Sequence, residues 1–151
     1  MLEWQVVPFS ALDTITLYNL LKLRVDVFVV EQNCPYPELD DKDLHQGTLH
    51  IFLKKDQKIL AYSRVLPPGV SYDGVPAIGR VCVSQTARRL GLGEALVGQA
   101  IATCQATWPG IDIYISAQCY LQRFYESMGF VAASEPYLED DIPHLKMIRP
   151  A

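Results

Sequence analysis

Short runs of β-branched and aromatic residues alternate along the chain with longer runs at helical spacing. Leu2–Phe9 reads as a first strand ended by Pro8, which has no N–H to give a ladder. Ser10-Ala-Leu-Asp13 predicts an N-cap with an acidic partner three residues on. The helix behind it carries Ile15, Tyr18, Leu21, Val25 and Phe28 as its apolar stripe and reaches Glu31, where Asn33-Cys-Pro-Tyr-Pro37 stops it. Glu38–Gln46 is a polar, acid-rich loop. His50–Lys54 and Ile59–Val65 are two strands, and Asp56-Gln57 between them predicts a tight hairpin. Pro67-Pro-Gly69 and Asp73-Gly74 mark a longer turn into the next strand.

The most legible stretch is Ala77–Ile101. Ile78, Val81 and Val83 predict a buried strand, Ser84–Arg89 a polar loop, and Gly91 and Gly93 bracket the start of a long helix. Leu92, Leu96, Val97, Ala100, Ile101, Cys104 and Trp108 fall on one face of that helix. Pro109-Gly110 breaks it. Ile111–Ile115 is a further strand, followed by a short helix with Tyr120, Leu121, Phe124, Tyr125 and Met128 on one side and Gly129 as its left-handed cap. Phe130–Ala133 and Leu145–Arg149 close the chain as strands. The order β-α-β-β-β-α-β-α-β-β predicts an α/β domain with a mixed sheet of about seven strands flanked by helices.

A strand, a basic glycine-punctuated loop and a helix N-terminus together can hold phosphate. The first helical turn leaves N–H groups unpaired, and glycine lets a ligand oxygen approach the backbone. Arg88 and Arg89 add cationic donors. A P-loop needs Lys-Ser or Lys-Thr after the second glycine, where Glu94-Ala95 stands; a dinucleotide fingerprint needs a third glycine where Leu96 stands. What remains is Arg88-x-x-Gly91-x-Gly93, which resembles the acetyl-coenzyme A pyrophosphate loop of the GNAT superfamily of N-acetyltransferases. Phe124-Tyr-Glu-Ser-Met-Gly-Phe130 is similar to that superfamily's F-Y-x-x-x-G-F segment. Glu31-Gln-Asn-Cys-Pro-Tyr36 and Ile142-Pro-His144 resemble its ElaA-type branch. The resemblance covers nearly the whole chain and implies the GNAT fold over residues 1–151.

Bulk properties narrow the classes. The 151 residues suit one domain, and half of them are apolar. No run approaches the roughly 18 apolar residues of a membrane span, and Met1-Leu-Glu-Trp-Gln5 shows no secretory signal pattern. Cys34, Cys82, Cys104 and Cys119 form no C-x-x-C pair, so reduced thiols in a cytoplasmic protein are expected, with Cys82 and Cys104 in the core. The formal net charge of −4 argues against a general nucleic-acid surface but leaves room for a nucleotide ligand at the arginine pair. Cys34, His45 and His50 do not have zinc-ligand spacing. A homodimer is compatible with all of this.

The resemblance implies acetyl transfer from acetyl-CoA to an amine, with three tasks for the protein. Backbone groups of Val81, Cys82 and Val83 would meet the pantetheine and acetyl carbonyl, Arg88, Arg89, Leu90, Gly91, Leu92, Gly93 and Glu94 the pyrophosphate, and Gln118 the pantetheine arm. At Gln118 many relatives have Asn. An alkylamine is mostly protonated at neutral pH, and reaching the nucleophilic form costs roughly 4 kcal/mol, so a base is useful. Glu31, His50, Asp40, Asp41 and His144 are the candidates, in the order Glu31, then His50, then His144. Tyr125 occupies the position from which a tyrosine serves the leaving sulfur. A phenol (about 10) is a weaker acid than a thiol (about 8.5), so its expected role is hydrogen bonding to the thiolate. Acid-rich segments Glu38–Asp43 and Glu135–Asp141 suggest Asp40, Asp41 and His144 as contacts for a cationic small-molecule or peptide amine. The alternative function is a non-catalytic module that binds or senses CoA.

Overall fold

The computed structural model describes residues 2–151. Eight strands form one sheet: β1 Glu3–Pro8, β2 Leu49–Lys55, β3 Lys58–Leu66, β4 Ala77–Val83, β5 Ile113–Gln118, β6 Val131–Ala132, β7 Tyr137–Glu139 and β8 Ile142–Arg149. Their order is β1-β2-β3-β4-β5-β8-β6, with β7 also on β8. All pairings are antiparallel except β4–β5. That one parallel contact needs a crossover, and α2 (Leu92–Thr107) supplies it.

Alternation along the central strands sends side chains into two cores. Ile51, Leu53, Ala61 and Val65 face α2 and the short helix α3 (Gln122–Ser127), together with Leu96, Val97, Ala100, Ile101 and Cys104. Phe52, Tyr62 and Cys82 face the other way, against Leu20, Leu23 and Val27 of the N-terminal helical segment. Both faces of the middle of the sheet are thus covered. Truncating a fully buried leucine such as Leu20 or Leu96 to alanine removes about 2–5 kcal/mol.

Three local expectations are corrected. Helix α1 (Thr14–Val25) is capped by Asp13, whose carboxylate accepts from the Thr16 N–H at 2.7 Å, while Ser10 lies in a separate turn of 3-10 helix, Phe9–Ala11. The buried face of α1 is Thr16, Leu20, Leu23 and Arg24, whereas Ile15, Tyr18 and Val25 point outward. A buried arginine rotated the face: a reading by hydropathy puts Arg24 in solvent, but the carboxylates of Glu38 and Asp43 hold it inside, over the Tyr62 ring. The third correction is β7. Tyr137–Glu139 is too short and polar to read as a strand, but Asp140 and Asp141 both take positive φ (50° and 63°), the geometry of a two-residue hairpin turn.

Candidate active site

The site begins where the sheet comes apart. Strands β4 and β5 pair only at Ala77↔Tyr114 and Ile78↔Ile115. Beyond Ile78, β4 carries a register irregularity against β3, opposite Tyr62–Arg64, and Arg80 sits there at φ 51°. An extra residue in one strand bends it and increases its twist. Strand β5 meanwhile stays in register with β8 as far as Gln118↔His144. The two strands therefore diverge, and a cleft of about 930 Å³ opens along Gly79–Val83 and Ser116–Gln118.

Arg80 is held in its unfavourable conformation by its own side chain. Its Nε donates to Glu38 Oε2 at 2.8 Å and its Nη2 to the Glu38 carbonyl at 3.0 Å. Glu38 Oε2 also accepts from Arg24 Nε at 2.6 Å, and Arg24 Nη1 reaches Asp43 at 2.8 Å. Arg64 pairs with Asp40 at 2.5 Å and with Asp43 at 3.1 Å. The Tyr36 hydroxyl donates to the free oxygen of Glu38. Three guanidiniums meet three carboxylates, largely buried, and pin the 36–43 loop to α1, β3 and β4 as one wall of the cleft. Burial alone pushes the Asp40 carboxyl up, but the Arg64 and Arg80 guanidiniums outweigh it and hold it at about 2.

The loop after β4 ends in a candidate anion cradle. Arg89 (φ 66°) and Gly91 (φ 73°) turn the chain left-handed, and α2 starts at Leu92 with no side-chain cap. The first amide to bond back is that of Ala95, to the Gly91 carbonyl at 3.2 Å. The N–H groups of Leu92, Gly93 and Glu94 precede it and have no carbonyl to reach within the helix. No atom lies within 4 Å of the position a Gly91 Cβ would take, so the backbone is open to a ligand. Amides of this kind, at the positive end of a sixteen-residue helix, fit a diphosphate. Leu90 and Arg89 are exposed beside them.

The sequence-selected residues fall in different places. Tyr125 lies on the cleft, buried between Phe124 and Phe130 in edge-to-face contacts, and its hydroxyl has no hydrogen-bond partner among the described residues. Burial pushes the phenol above its ordinary value, so it keeps its proton. Val81, Val83 and Gln118 line the cleft; the Cys82 side chain turns into the second core. Gln118 exchanges amide hydrogen bonds at 3.3 Å with Gln32, which the sequence did not single out.

Glu31 also lines the cleft, at the end of a π-helical stretch, Asp26–Glu31, that continues α1. Its two oxygens accept from Arg88 at 2.5 and 2.6 Å, and this pair holds its carboxyl below the ordinary range. A carboxylate so paired is a weak proton acceptor, and Arg88, whose Nε is on the Val83 carbonyl at 3.1 Å, is committed away from a pyrophosphate. His50 is fully buried away from the cleft, its ring nitrogens on the Tyr62 hydroxyl (2.7 Å) and the Asp43 carbonyl (3.2 Å), and burial lowers its basicity. Asp40 reaches the cleft only as part of the arginine network, and Asp41, at φ 65°, is exposed outside it. His144 lines the cleft on the opposite wall.

The profile of the Acetyltransferase (GNAT) domain family matches residues 24–149, which takes in the opened strand pair, the cradle and Tyr125. The chain belongs to the GNAT family. It is 44% identical over 149 residues to Protein ElaA of Escherichia coli strain K12, covering 99% of this chain and 97% of that one. A crystal structure described as an acyl-CoA N-acyltransferase from Pseudomonas aeruginosa superposes with a TM-score of 0.93 at 46% identity, covering 99% of both chains. The crystal structure of Escherichia coli ElaA gives 0.92 at 42% identity, again over 99% of each. The chain is thus an N-acetyltransferase of a fold that uses acyl-CoA donors.

What sequence reasoning missed is the arginine network and the second wall. Arg24 lies within the run Leu20-Leu-Lys-Leu-Arg-Val25, and Arg64 lies inside an otherwise apolar central strand. A charge at a position of core spacing is the available signal, since such a residue stays inside only when paired.

Proposed function

We propose that this GNAT enzyme moves the acetyl group of acetyl-CoA directly onto a primary amine of a small molecule or peptide. The observation that carries the reading is convergence. The unpaired amides at the start of α2, the parted edges of β4 and β5, and the Tyr125 hydroxyl all open on one cleft. The amides of residues 92–94 would hold the diphosphate of the donor, with Arg89 free to add a contact. The thioester would lie along Val81–Val83, where backbone N–H groups can polarise its carbonyl; a donor aimed at developing negative charge contributes roughly 3–4 kcal/mol. Tyr125 then donates a hydrogen bond to the departing sulfur without giving up its proton. The four cysteines are free thiols, which suits the cytoplasm.

Thiol release from acetyl-CoA, followed across spermidine, lysine amide, tyramine and a lysine-containing peptide, tests the proposal. Release above the rate without acceptor is expected for at least one amine. Tyr125→Phe should lower kcat about 10- to 100-fold, as loss of a hydrogen bond to a charged group of 1.5–3 kcal/mol does, while calorimetric affinity for coenzyme A stays the same. A protein that binds coenzyme A but releases no thiol with any acceptor is a binding module, and the transfer reading falls.

A further inference from the structure

The second wall of the cleft is the β7–β8 hairpin, which brings an imidazole and a carboxylate together on the cleft lining. The His144 Nδ1 lies 2.7 Å from the Ile142 carbonyl. A carbonyl only accepts, so Nδ1 carries a hydrogen, and in its neutral form the ring presents a lone pair at Nε2. Opposite that lone pair, at 3.5 Å, stands Glu139 Oε2. The other Glu139 oxygen accepts from the Ser116 hydroxyl at 3.1 Å, and Ser116 in turn accepts from the Tyr137 hydroxyl at 2.5 Å. This relay keeps Glu139 an acceptor. Tyr137 also stacks on the imidazole at 6.3 Å between centroids and 23° between planes, fixing the plane of the ring.

With the ring neutral, Nε2 and the Glu139 carboxylate are two neighbouring acceptors. A group carrying at least two hydrogens and a positive charge satisfies both, and a primary alkylammonium is such a group. Resting on the transfer reading above, we infer that the acceptor substrate binds as an ammonium on the cleft side of the Glu139–His144 pair, in reach of both Glu139 Oε2 and His144 Nε2, and that His144 Nε2 removes its first proton. Glu139 is the positioning residue: it holds the ammonium and stabilises the imidazolium that forms.

The step balances. R–NH₃⁺ gives one proton to Nε2, leaving neutral R–NH₂ and a charged ring. The nitrogen lone pair forms the C–N bond to the acetyl carbon, and the C–S bond breaks with its electron pair on sulfur. The second ammonium proton passes to that thiolate, giving coenzyme A thiol, and His144 returns its proton to solvent. Glu31 and His50 cannot take this role in the same way, the one being locked to Arg88 and the other enclosed away from the cleft.

Several charged and titratable groups surround the ring. From β7 and the hairpin tip they are Glu139, Tyr137 and Asp140; along β8, Lys146 lies two residues away with its Nζ over the Tyr114 ring. Across the cleft stand Tyr36, Asp40, Arg64 and Arg80, with Glu31 and Arg88 at its far side and Cys34, Lys42 and Tyr72 also on its lining. The acids and bases of the far wall pair with one another, so Glu139 is the charge closest to Nε2.

Two measurements decide the matter. Imidazole ¹⁵N NMR of the intact protein, with the His144 signals assigned by their loss in His144→Gln, should show the Nδ1–H tautomer at alkaline pH. Its titration should move to lower pH in Glu139→Gln. An Nε2–H tautomer, or a titration indifferent to Glu139, overturns the inference without touching the transfer reading. In the thiol-release assay His144→Gln should lose about 10²-fold or more in kcat with every amine turned over. The lower limb of its pH–rate profile should vanish, and added imidazole should restore part of the rate. Wild-type turnover with an unchanged profile in His144→Gln removes the base while leaving the enzyme; absence of wild-type turnover removes both.

Discussion

The two walls of the cleft look alike in the sequence and differ in the structure. Glu38–Asp43 and Glu135–Asp141 are both acid-rich, and both read as attractors for a cationic acceptor. The first proves to be neutralised: Glu38, Asp40 and Asp43 are consumed by Arg24, Arg64 and Arg80, which arrive from α1, β3 and β4. The second faces the cleft unpaired by arginine among the described residues: Glu139 is about half exposed and meets Ser116 and a histidine. Clustered acids therefore mean rigidity on one side and electrostatic potential on the other. What separates the cases is whether arginines far away in sequence return to them in space.

That contrast is broken most severely by removing one member of the rigid wall. Arg24 is fully buried, with Glu38 and Asp43 on its guanidinium and the Tyr62 ring beneath at 5.5 Å. Arg24→Ala leaves two buried carboxylates short of their partner, and a loss of about 3–5 kcal/mol in urea unfolding is expected. A loss under about 1 kcal/mol would mean that the wall is solvated and the contrast false.

The next effect is in acid. Asp40 is held at about 2 when folded against an ordinary 3.8, and Asp43 is also lowered, with burial opposing and Arg24 and Arg64 prevailing. A depressed carboxyl contributes stability that is full above its unfolded value and is lost as pH falls through the folded one. For Asp40 alone this is on the order of 2 kcal/mol, disappearing between roughly pH 4 and pH 2. Unfolding free energy measured across that interval should fall, and Asp40→Asn should flatten the decline. An undiminished slope in that variant would place the acid sensitivity elsewhere.

Legibility in the sequence follows the range of the interactions involved. The α2 face from Leu96 to Cys104, the Asp56-Gln57 hairpin and the left-handed Gly129 after α3 are local in origin, and periodicity or turn chemistry suffices for them. The helix N-terminus after Gly91 is also local, marked by two glycines. Arg80 is different. Its positive φ, and with it the divergence of β4 from β5, depends on Glu38, 42 residues away. No window of sequence contains both. For the same reason Arg88, which reads as a phosphate ligand beside its glycines, turns out to be engaged by Glu31, 57 residues distant. Hairpin β7–β8 is hidden for a different cause, since Asp140-Asp141 resembles a solvated loop until its two positive φ angles are known.

The smallest expected effect tests the open wall by charge alone. Asp140 sits at φ 50°, a conformation that asparagine tolerates nearly as well, and the bond from Cys34 Sγ reaches its backbone carbonyl. Asp140→Asn therefore removes one negative charge from the cleft with little change of shape, and stability should stay within about 0.5 kcal/mol. If the hairpin attracts the acceptor through its potential, KM for spermidine or lysine amide rises by roughly two- to fivefold at low salt, and the difference from the native enzyme closes near 1 M salt, where the screening length is about 3 Å. An equal rise at both salt concentrations would trace the loss to a direct contact. No rise at either would mean that the charge of Asp140 plays no part in drawing the acceptor to this wall.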